Sequence, residues 1–125
     1  MNNPRILVVE DNPKNMKLIR DVLQFKGFDI LEAQSGEEGI EVARGERPTL
    51  VLMDVQLPGI DGLEAMKAIK DDEITQDIPV VALTAYAMKG DREQLLAEGF
   101  DGYISKPVDI KTLVGTITGY LPATE

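Results

Sequence analysis

Two apolar segments of this chain run directly into acidic residues, and this pattern points to chemistry at the edge of a sheet. Ile6–Val9 is followed by Glu10 and Asp11, and Leu50–Met53 is followed by Asp54. In open parallel sheets, ligands bind where the strands end at their carboxyl termini. If the two strands are neighbours, three carboxylates meet there. Hard oxygen ligands in an incomplete shell favour Mg²⁺ with water in the open positions.

Asp54 is also a candidate nucleophile. A carboxylate beside a bound cation can attack phosphorus and form an acyl phosphate, because the cation offsets the repulsion between two anions. Each acidic residue has a plainer alternative. Asp54 alone could cap a turn, and Glu10 and Asp11 could cap a helix that begins at Pro13. Within the metal interpretation we assign direct ligation to Asp11 and a water-bridged role to Glu10, because adjacent residues need not point the same way.

Two further strand ends carry groups that suit a tetrahedral anion. The apolar segment Val80–Leu83 ends in Thr84, which supplies a hydroxyl, and Ile104-Ser105 leads to Lys106, which supplies an ammonium. Taken alone, Thr84 could be an ordinary strand residue and Lys106 a solvated surface charge. Together with the acidic residues they predict a phosphoryl-binding site.

The composition excludes several other classes of site. The chain has 125 residues, with 13 Lys and Arg against 22 Asp and Glu, which gives a net charge of −9. This length fits one domain, and the charge disfavours direct contact with nucleic acid. Without Cys or His there is no disulfide, zinc-thiolate site or phosphohistidine on this chain. We find no signal peptide and no apolar stretch of the ~20 residues that cross a membrane, so we expect a cytoplasmic protein.

Apolar and amphipathic segments alternate along the whole chain, which is typical of a parallel sheet covered by helices on both faces. The predicted strands are Arg5–Glu10, Phe28–Ala33, Thr49–Asp54, Val80–Thr84 and Gly102–Ser105. Five helices are predicted. The first begins at Pro13 and is closed by Gly27, the second begins with a capping box at Ser35 and ends near Gly45, and the third begins at Asp61 or Gly62. The fourth spans about Gly90 to Glu98, and the fifth begins after a cap at Asp109. Right-handed crossovers favour a doubly wound, flavodoxin-like α/β fold with strand order 2-1-3-4-5.

The helix patterns also predict which side chains are buried. The expected stripes are Leu18, Ile19, Val22 and Phe25 in the first helix, Leu63, Met66 and Ile69 in the third, and Ile110, Leu113, Val114, Ile117 and Leu121 in the fifth. We expect Met16 to be exposed beside Leu18 as an adaptable contact for a kinase, unless both complete the core. The fourth helix has the thinnest apolar face and should be the least stable.

As a set, these residues resemble the receiver domain of two-component response regulators. The resemblance covers essentially the whole chain and rests on Glu10-Asp11-Asn12, Met53-Asp54 with Pro58-Gly59 and Gly62, Thr84-Ala85 and Lys106-Pro107. It implies that Asp54 is the phosphoacceptor, that Glu10 and Asp11 bind Mg²⁺ with the Gln56 carbonyl, and that Thr84 and Lys106 bind the phosphoryl group. It also implies an aromatic switch at Tyr103 and a cis peptide bond before Pro107.

Little chain remains after Lys106 for a further domain, so we expect a single receiver domain over residues 1–125 without an output domain. The segment Ala85–Glu93 is most similar to stand-alone, DivK-type receivers. The implied partners are a histidine kinase or phosphotransfer protein and a downstream kinase or adaptor, and we expect a monomer that is not an enzyme beyond its own phosphorylation and dephosphorylation. We also expect Gln56 and Tyr86 to control hydrolysis of the acyl phosphate.

Two alternatives remain, and a third class is disfavoured. The chain could be the receiver part of a hybrid histidine kinase. It could be an aspartate-nucleophile phosphohydrolase, although that class places its nucleophile on the first strand. A dinucleotide-binding enzyme would need a Gly-x-Gly-x-x-Gly loop after the first strand, and Glu10–Asn15 contains no glycine.

Overall fold

The computed structural model describes residues 4–57, 59–85, 89–106 and 108–120, without the side chain of Lys89. Five strands form one parallel sheet: β1 (Arg5–Val9), β2 (Asp29–Ala33), β3 (Leu50–Asp54), β4 (Val80–Thr84) and β5 (Gly102–Ser105). Their spatial order is β2-β1-β3-β4-β5, which confirms the predicted topology. The observed strand ends differ from the predicted ends by at most one residue.

Five helices alternate with the strands: α1 (Pro13–Phe25), α2 (Gly36–Glu46), α3 (Gly62–Asp71), α4 (Lys89–Glu98) and α5 (Ile110–Tyr120). Side chains cap the starts of four of them. Asn12 accepts hydrogen bonds from two backbone N–H groups of α1, and Ser35, Asp61 and Asp109 each accept one at α2, α3 and α5. Helices α1, α3 and α5 follow strands β1, β3 and β5, so their capping residues lie on the loops at the strand ends that form the candidate site.

The sheet is buried on both faces, and each face has its own core. Leu7, Val9, Val51, Met53, Val80 and Ala82 pack under helices α2 and α3. The alternate residues Ile6, Val8, Leu50, Leu52, Val81 and Leu83 pack under α1 and α5. This two-residue alternation explains why the central strands are almost wholly apolar in sequence.

The prediction of which α1 side chains are buried was wrong in part. The buried residues are Met16, Ile19 and Leu23, whereas Leu18 is 42% exposed and Phe25 is 87% exposed. Met16 therefore contributes to the core and cannot be an exposed contact. Ile110, expected in the buried stripe of α5, is also half exposed.

Helix α4 has the thin apolar face that the sequence predicts. None of its described side chains is buried, Leu95 is half-buried and Leu96 is exposed. Within the described ranges, no helix is both long and apolar enough to cross a membrane. The predictions for Pro58, Tyr86, Pro107 and Leu121, including the cis bond before Pro107, fall outside the described residues.

Candidate functional site

The parallel register brings the predicted acidic residues together at one edge of the sheet. Strand β1 pairs with β3, with Val9 opposite Met53, so the next residues, Glu10 and Asp54, lie at neighbouring strand ends. Glu10, Asp11 and Asp54 each offer one carboxylate oxygen, and these oxygens lie within 4.8 Å of one another. Glu10 and Asp54 are buried, while Asp11 is exposed. The predicted acidic cluster is therefore present.

Glu10 is the most deeply buried of the three, with 1% of its surface exposed. Its Oε2 accepts a hydrogen bond from the backbone N–H of Asn12 at 3.1 Å. Its Oε1 lies 3.3 Å from Lys106 Nζ, an ion-pair distance, yet no hydrogen bond of good geometry reaches this atom. The pKa of Glu10 is raised to about 7, because burial, the largest cause, and the neighbouring Asp54 carboxylate together outweigh the lowering effects of the Asn12 N–H and the Lys106 ammonium.

Lys106 joins the two buried carboxylates from β5. Its Nζ donates a hydrogen bond to Asp54 Oδ2 at 2.8 Å. The other oxygen, Asp54 Oδ1, accepts the backbone N–H of Gln56 at 2.9 Å, so both carboxylate oxygens are held in place. Burial alone would lower the pKa of Lys106, but the hydrogen bond to Asp54 and the attraction of both carboxylates outweigh it and raise the pKa.

This group of residues fits a divalent cation. The ligands are all carboxylate oxygens, the type that Mg²⁺ prefers, and one oxygen of a buried carboxylate lacks a hydrogen bond. Asp11 lies at the surface, where an ion with its waters has access. Gln56 follows on the loop after β3, and its side chain is exposed. Its backbone N–H faces Asp54, and the role of its carbonyl stays a prediction.

Thr84 and Lys106 lie at the same edge as Asp54. Thr84 ends β4, is 3% exposed, and its carbonyl accepts the backbone N–H of Lys106 at 2.8 Å. The N–H of Val55 donates to the Leu83 carbonyl at 3.0 Å, which continues the pairing of β3 and β4 past Asp54. All four strand ends that the sequence singled out therefore meet here.

The loop after Asp54 is held closely against its surroundings. A Cβ on Gly62 would overlap the backbone carbonyl of Asp54, so α3 approaches β3 more closely than any side chain permits. Gly59 has φ +74°, and a Cβ there would lie 2.9 Å from the carboxylate of Glu37. Glu37, in the first turn of α2, also accepts the N–H of Ile60 at 3.4 Å. Sequence reasoning missed Glu37, which has no local motif linking it to this loop.

Tyr103, the predicted switch residue, is half-buried in β5 and packs against the core under α2 and α3. The guanidinium carbon of Arg92, in α4, lies 5.4 Å from the centre of the Tyr103 ring, within cation–π range. No sequence pattern indicates this contact, because the two residues are eleven positions apart on different elements.

Known proteins are similar to this chain in sequence and in fold. A model of the response regulator receiver domain matches residues 6–118. The "polar-differentiation response regulator DivK" of Brucella ovis is 47% identical over 116 residues, which cover 93% of this chain and 94% of that protein. The DivK protein of Brucella anthropi is 46% identical over the same shares.

Solved structures of response regulators have the same fold as this chain. The chemotaxis response regulator CheY4 of Vibrio cholerae superposes with a TM-score of 0.90 at 25% identity, covering 96% of this chain and 100% of that one. The receiver domain of the sensor histidine kinase PA1611 from Pseudomonas aeruginosa gives a TM-score of 0.87 at 34% identity, covering 95% and 98%. In that receiver, a magnesium ion is coordinated in the active-site cleft.

Proposed function

Because this chain belongs to the response regulator receiver domain family of two-component signalling, we propose that Asp54 is its phosphoacceptor. The observation that carries this proposal is the fixed Asp54 carboxylate, with Lys106 Nζ at 2.8 Å and the Gln56 N–H at 2.9 Å. The only other buried carboxylate among the described residues is Glu10. Its Oε1 has no hydrogen bond and its Oε2 accepts the Asn12 N–H, so the Glu10 carboxylate is less firmly oriented than that of Asp54.

The proposed reaction is phosphoryl transfer from a phosphohistidine of a kinase or phosphotransfer protein. One Asp54 oxygen forms a bond to phosphorus as the bond from phosphorus to the imidazole nitrogen breaks. The imidazole leaves with the bonding electron pair and takes up a proton. Lys106 then shifts its hydrogen bond from the carboxylate to a phosphoryl oxygen, and the Thr84 hydroxyl donates to another.

We assign the metal site to Asp11, Asp54 and the Gln56 carbonyl, with Glu10 acting through a water. When bound there, Mg²⁺ supplies positive charge that offsets the repulsion between the carboxylate and the incoming phosphoryl group. The residues of the chain do the rest. Glu10 and Asp11 place their oxygens beside Asp54, and the backbone N–H of Gln56 fixes the orientation of the nucleophile.

The proposed output is a change of protein contacts. As Thr84 turns toward the phosphoryl group, Tyr103 on the neighbouring strand gains room to turn inward, and the surface formed by α4 and β5 changes. Such a switch needs two discrete states with different affinities for partners.

We further propose a stand-alone, DivK-type role in the cytoplasm, as a single-domain monomer that acts only on its own phosphorylation. A histidine kinase or phosphotransfer protein would supply the phosphoryl group, and a downstream kinase or adaptor would read it. The 47% identity to DivK supports this over the hybrid-kinase alternative. That alternative has its own support in the 34% identity to the PA1611 receiver.

The test is phosphorylation by acetyl phosphate with Mg²⁺, followed by intact mass. We expect one phosphoryl adduct on the wild type, no adduct after chelation of the metal, and none on Asp54→Asn. Asp29→Asn is a matched control, since it makes the same change at an exposed position where β2 begins, at the opposite edge of the sheet. A stoichiometric adduct on Asp54→Asn would disprove the assignment, and continuous release of phosphate from varied phosphate esters would favour the phosphohydrolase.

A further inference from the structure

A cleft of about 240 Å³ separates α3 from α4, on the side of the sheet away from α1. Its apolar walls come from Val55, Leu63 and Leu95. Three carboxylates also line it: Asp61 from the start of α3, and Asp91 and Glu98 from α4. The cleft thus combines an apolar interior with negative charge.

The sequence of α4 explains why the cleft stays open. The residues that α4 turns toward the cleft are Asp91, Gln94, Leu95 and Glu98, and only Leu95 is apolar. Packing such a face tightly against α3 would remove carboxylates from water without a compensating partner. An ion pair links α3 to α4 at the last residue of α4: Lys67 Nζ lies 3.2 Å from a carboxylate oxygen of Glu98.

Among the described residues, the cleft is lined by more carboxylates than cations. None of the lining residues, all within the described chain, is Lys or Arg. Asp61 accepts the N–H of Glu64 as the cap of α3, and Glu98 is paired with Lys67. Asp91, in the first turn of α4, lies on the half of the cleft nearer the phosphoryl site.

We propose that this cleft docks a basic segment of a partner protein, with one Arg or Lys side chain inserted between α3 and α4. The aliphatic stem of such a side chain would pack against Leu63 and Leu95, while its charged end meets Asp91. Charge complementarity favours this occupant over a second copy of the chain, because two molecules of net charge −9 repel each other.

Thr84 connects the cleft to the phosphoryl site, since it lines the cleft and ends β4 beside Asp54. If Thr84 moves on phosphorylation, a point that rests on the proposed function, the bound segment and the phosphoryl group must influence each other's affinity by the same factor. The binding itself does not depend on this coupling.

The test is a titration of the ¹⁵N-labelled protein with the peptide acetyl-Ala-Leu-Arg-Leu-Ala-amide, followed by amide chemical shifts. We expect shifts centred on Leu63, Gln94 and Leu95, and none with the peptide that carries Glu in place of Arg. Asp91→Asn should weaken binding by about threefold, in line with one exposed ion pair. Glu93→Gln is the matched control, because it removes the same charge from α4 at a residue outside the cleft.

Equal weakening by Asp91→Asn and Glu93→Gln, or shifts spread over the acidic surface, would overturn the proposal. Repeating the titration with Mg²⁺ and beryllofluoride separates it from the proposed function. Shifts at Asp54 and Lys106 with no peptide binding in either state would overturn the docking proposal and leave the phosphoacceptor intact. Peptide binding at the cleft, with no shifts at Asp54 or Lys106 on addition of beryllofluoride, would support docking and count against the phosphoacceptor.

Discussion

At the scale of single residues, the site has two buried carboxylates and one ammonium. Lys106 reaches both Glu10 and Asp54, but its closer contact and its hydrogen bond are with Asp54. Without a bound cation, one ammonium cannot fully compensate two buried negative charges, and a buried acid then takes up a proton instead. Glu10 is that acid, which accounts for the direction of its pKa shift.

The first prediction concerns pH and stability in the presence of a chelator. Because the folded-state pKa of Glu10, about 7, lies above its ordinary value of 4.5, folding favours the protonated form. This favourable contribution is complete below about pH 4.5 and is lost as the pH rises toward and through 7. A shift of this size corresponds to on the order of 3 kcal/mol. We expect Glu10→Gln, which cannot ionise, to gain stability relative to the wild type as the pH rises from 5 to 8 in urea unfolding.

Other carboxylates titrate in both proteins, so the difference between wild type and Glu10→Gln is the quantity to compare. Added Mg²⁺ should reduce this difference, because a cation stabilises the ionised Glu10. A difference that stays constant from pH 5 to 8 in chelator would show that Glu10 ionises normally.

At the scale of elements, much could be predicted from the sequence, because strands buried on both faces leave continuous apolar segments. β1, β3 and β4 and the groups at their ends were identified this way. The exposed face of α1 was not. Leu18 and Phe25 fit a helical period as well as Met16 and Leu23 do, and only packing against the sheet decides between the two stripes. The contacts of Glu37 with Gly59 and of Arg92 with Tyr103 join separate elements and leave no pattern in the sequence.

The second prediction concerns α2 as a support for the loop after Asp54, which carries the proposed metal ligand Gln56. Its first turn holds the loop after Asp54, through Glu37 at Gly59 and Ile60. Glu37→Ala should increase hydrogen exchange in this loop and weaken Mg²⁺ binding by about threefold, the effect of one exposed polar contact. Glu37→Gln keeps an acceptor oxygen and should be milder. Glu41→Ala removes a charge from an exposed position of α2 and is the control; an equal loss there would assign the effect to charge alone.

The third prediction concerns α4. It has no buried side chain among those described, whereas α1 buries Met16, Ile19 and Leu23. Helices with few buried apolar contacts open at lower free energy, so the amides of α4 should exchange at least roughly tenfold faster than those of α1. Beryllofluoride with Mg²⁺ should change exchange in α4 more than in α1. Similar protection in both helices, unchanged by beryllofluoride, would remove α4 from the proposed switch.

At the scale of the whole molecule, the two faces of the sheet present different surfaces. The face under α2, α3 and α4 opens into the acidic cleft. On the other face, Leu18 and Phe25 of α1 and Ile110 of α5 are exposed, and Phe25 and Ile110 both line a shallow depression; we call these three side chains the apolar patch. Leu18 is the member of this set nearest to the site. It lies about 8 Å along the helix axis from Pro13, the first residue of α1, which directly follows Asn12. Exposed apolar side chains near a reaction site are candidates for contact with a partner protein.

The fourth prediction is that the kinase or phosphotransfer protein docks on this patch. Leu18, rather than the buried Met16, is then the contact residue. Leu18→Glu should slow phosphoryl transfer from a histidine kinase that phosphorylates the wild type by about tenfold, the loss of one apolar contact at the centre of an interface. Phosphorylation by acetyl phosphate should be unchanged, because the small donor needs no docking surface. Ile74→Glu is a matched control: Ile74 is 49% exposed, similar to Leu18, but follows α3 at the opposite edge of the sheet. If Leu18→Glu slows both donors equally, the substitution has damaged the site or the fold. If Ile74→Glu slows the kinase as much as Leu18→Glu does, added negative charge is the cause, and the kinase does not dock on this patch.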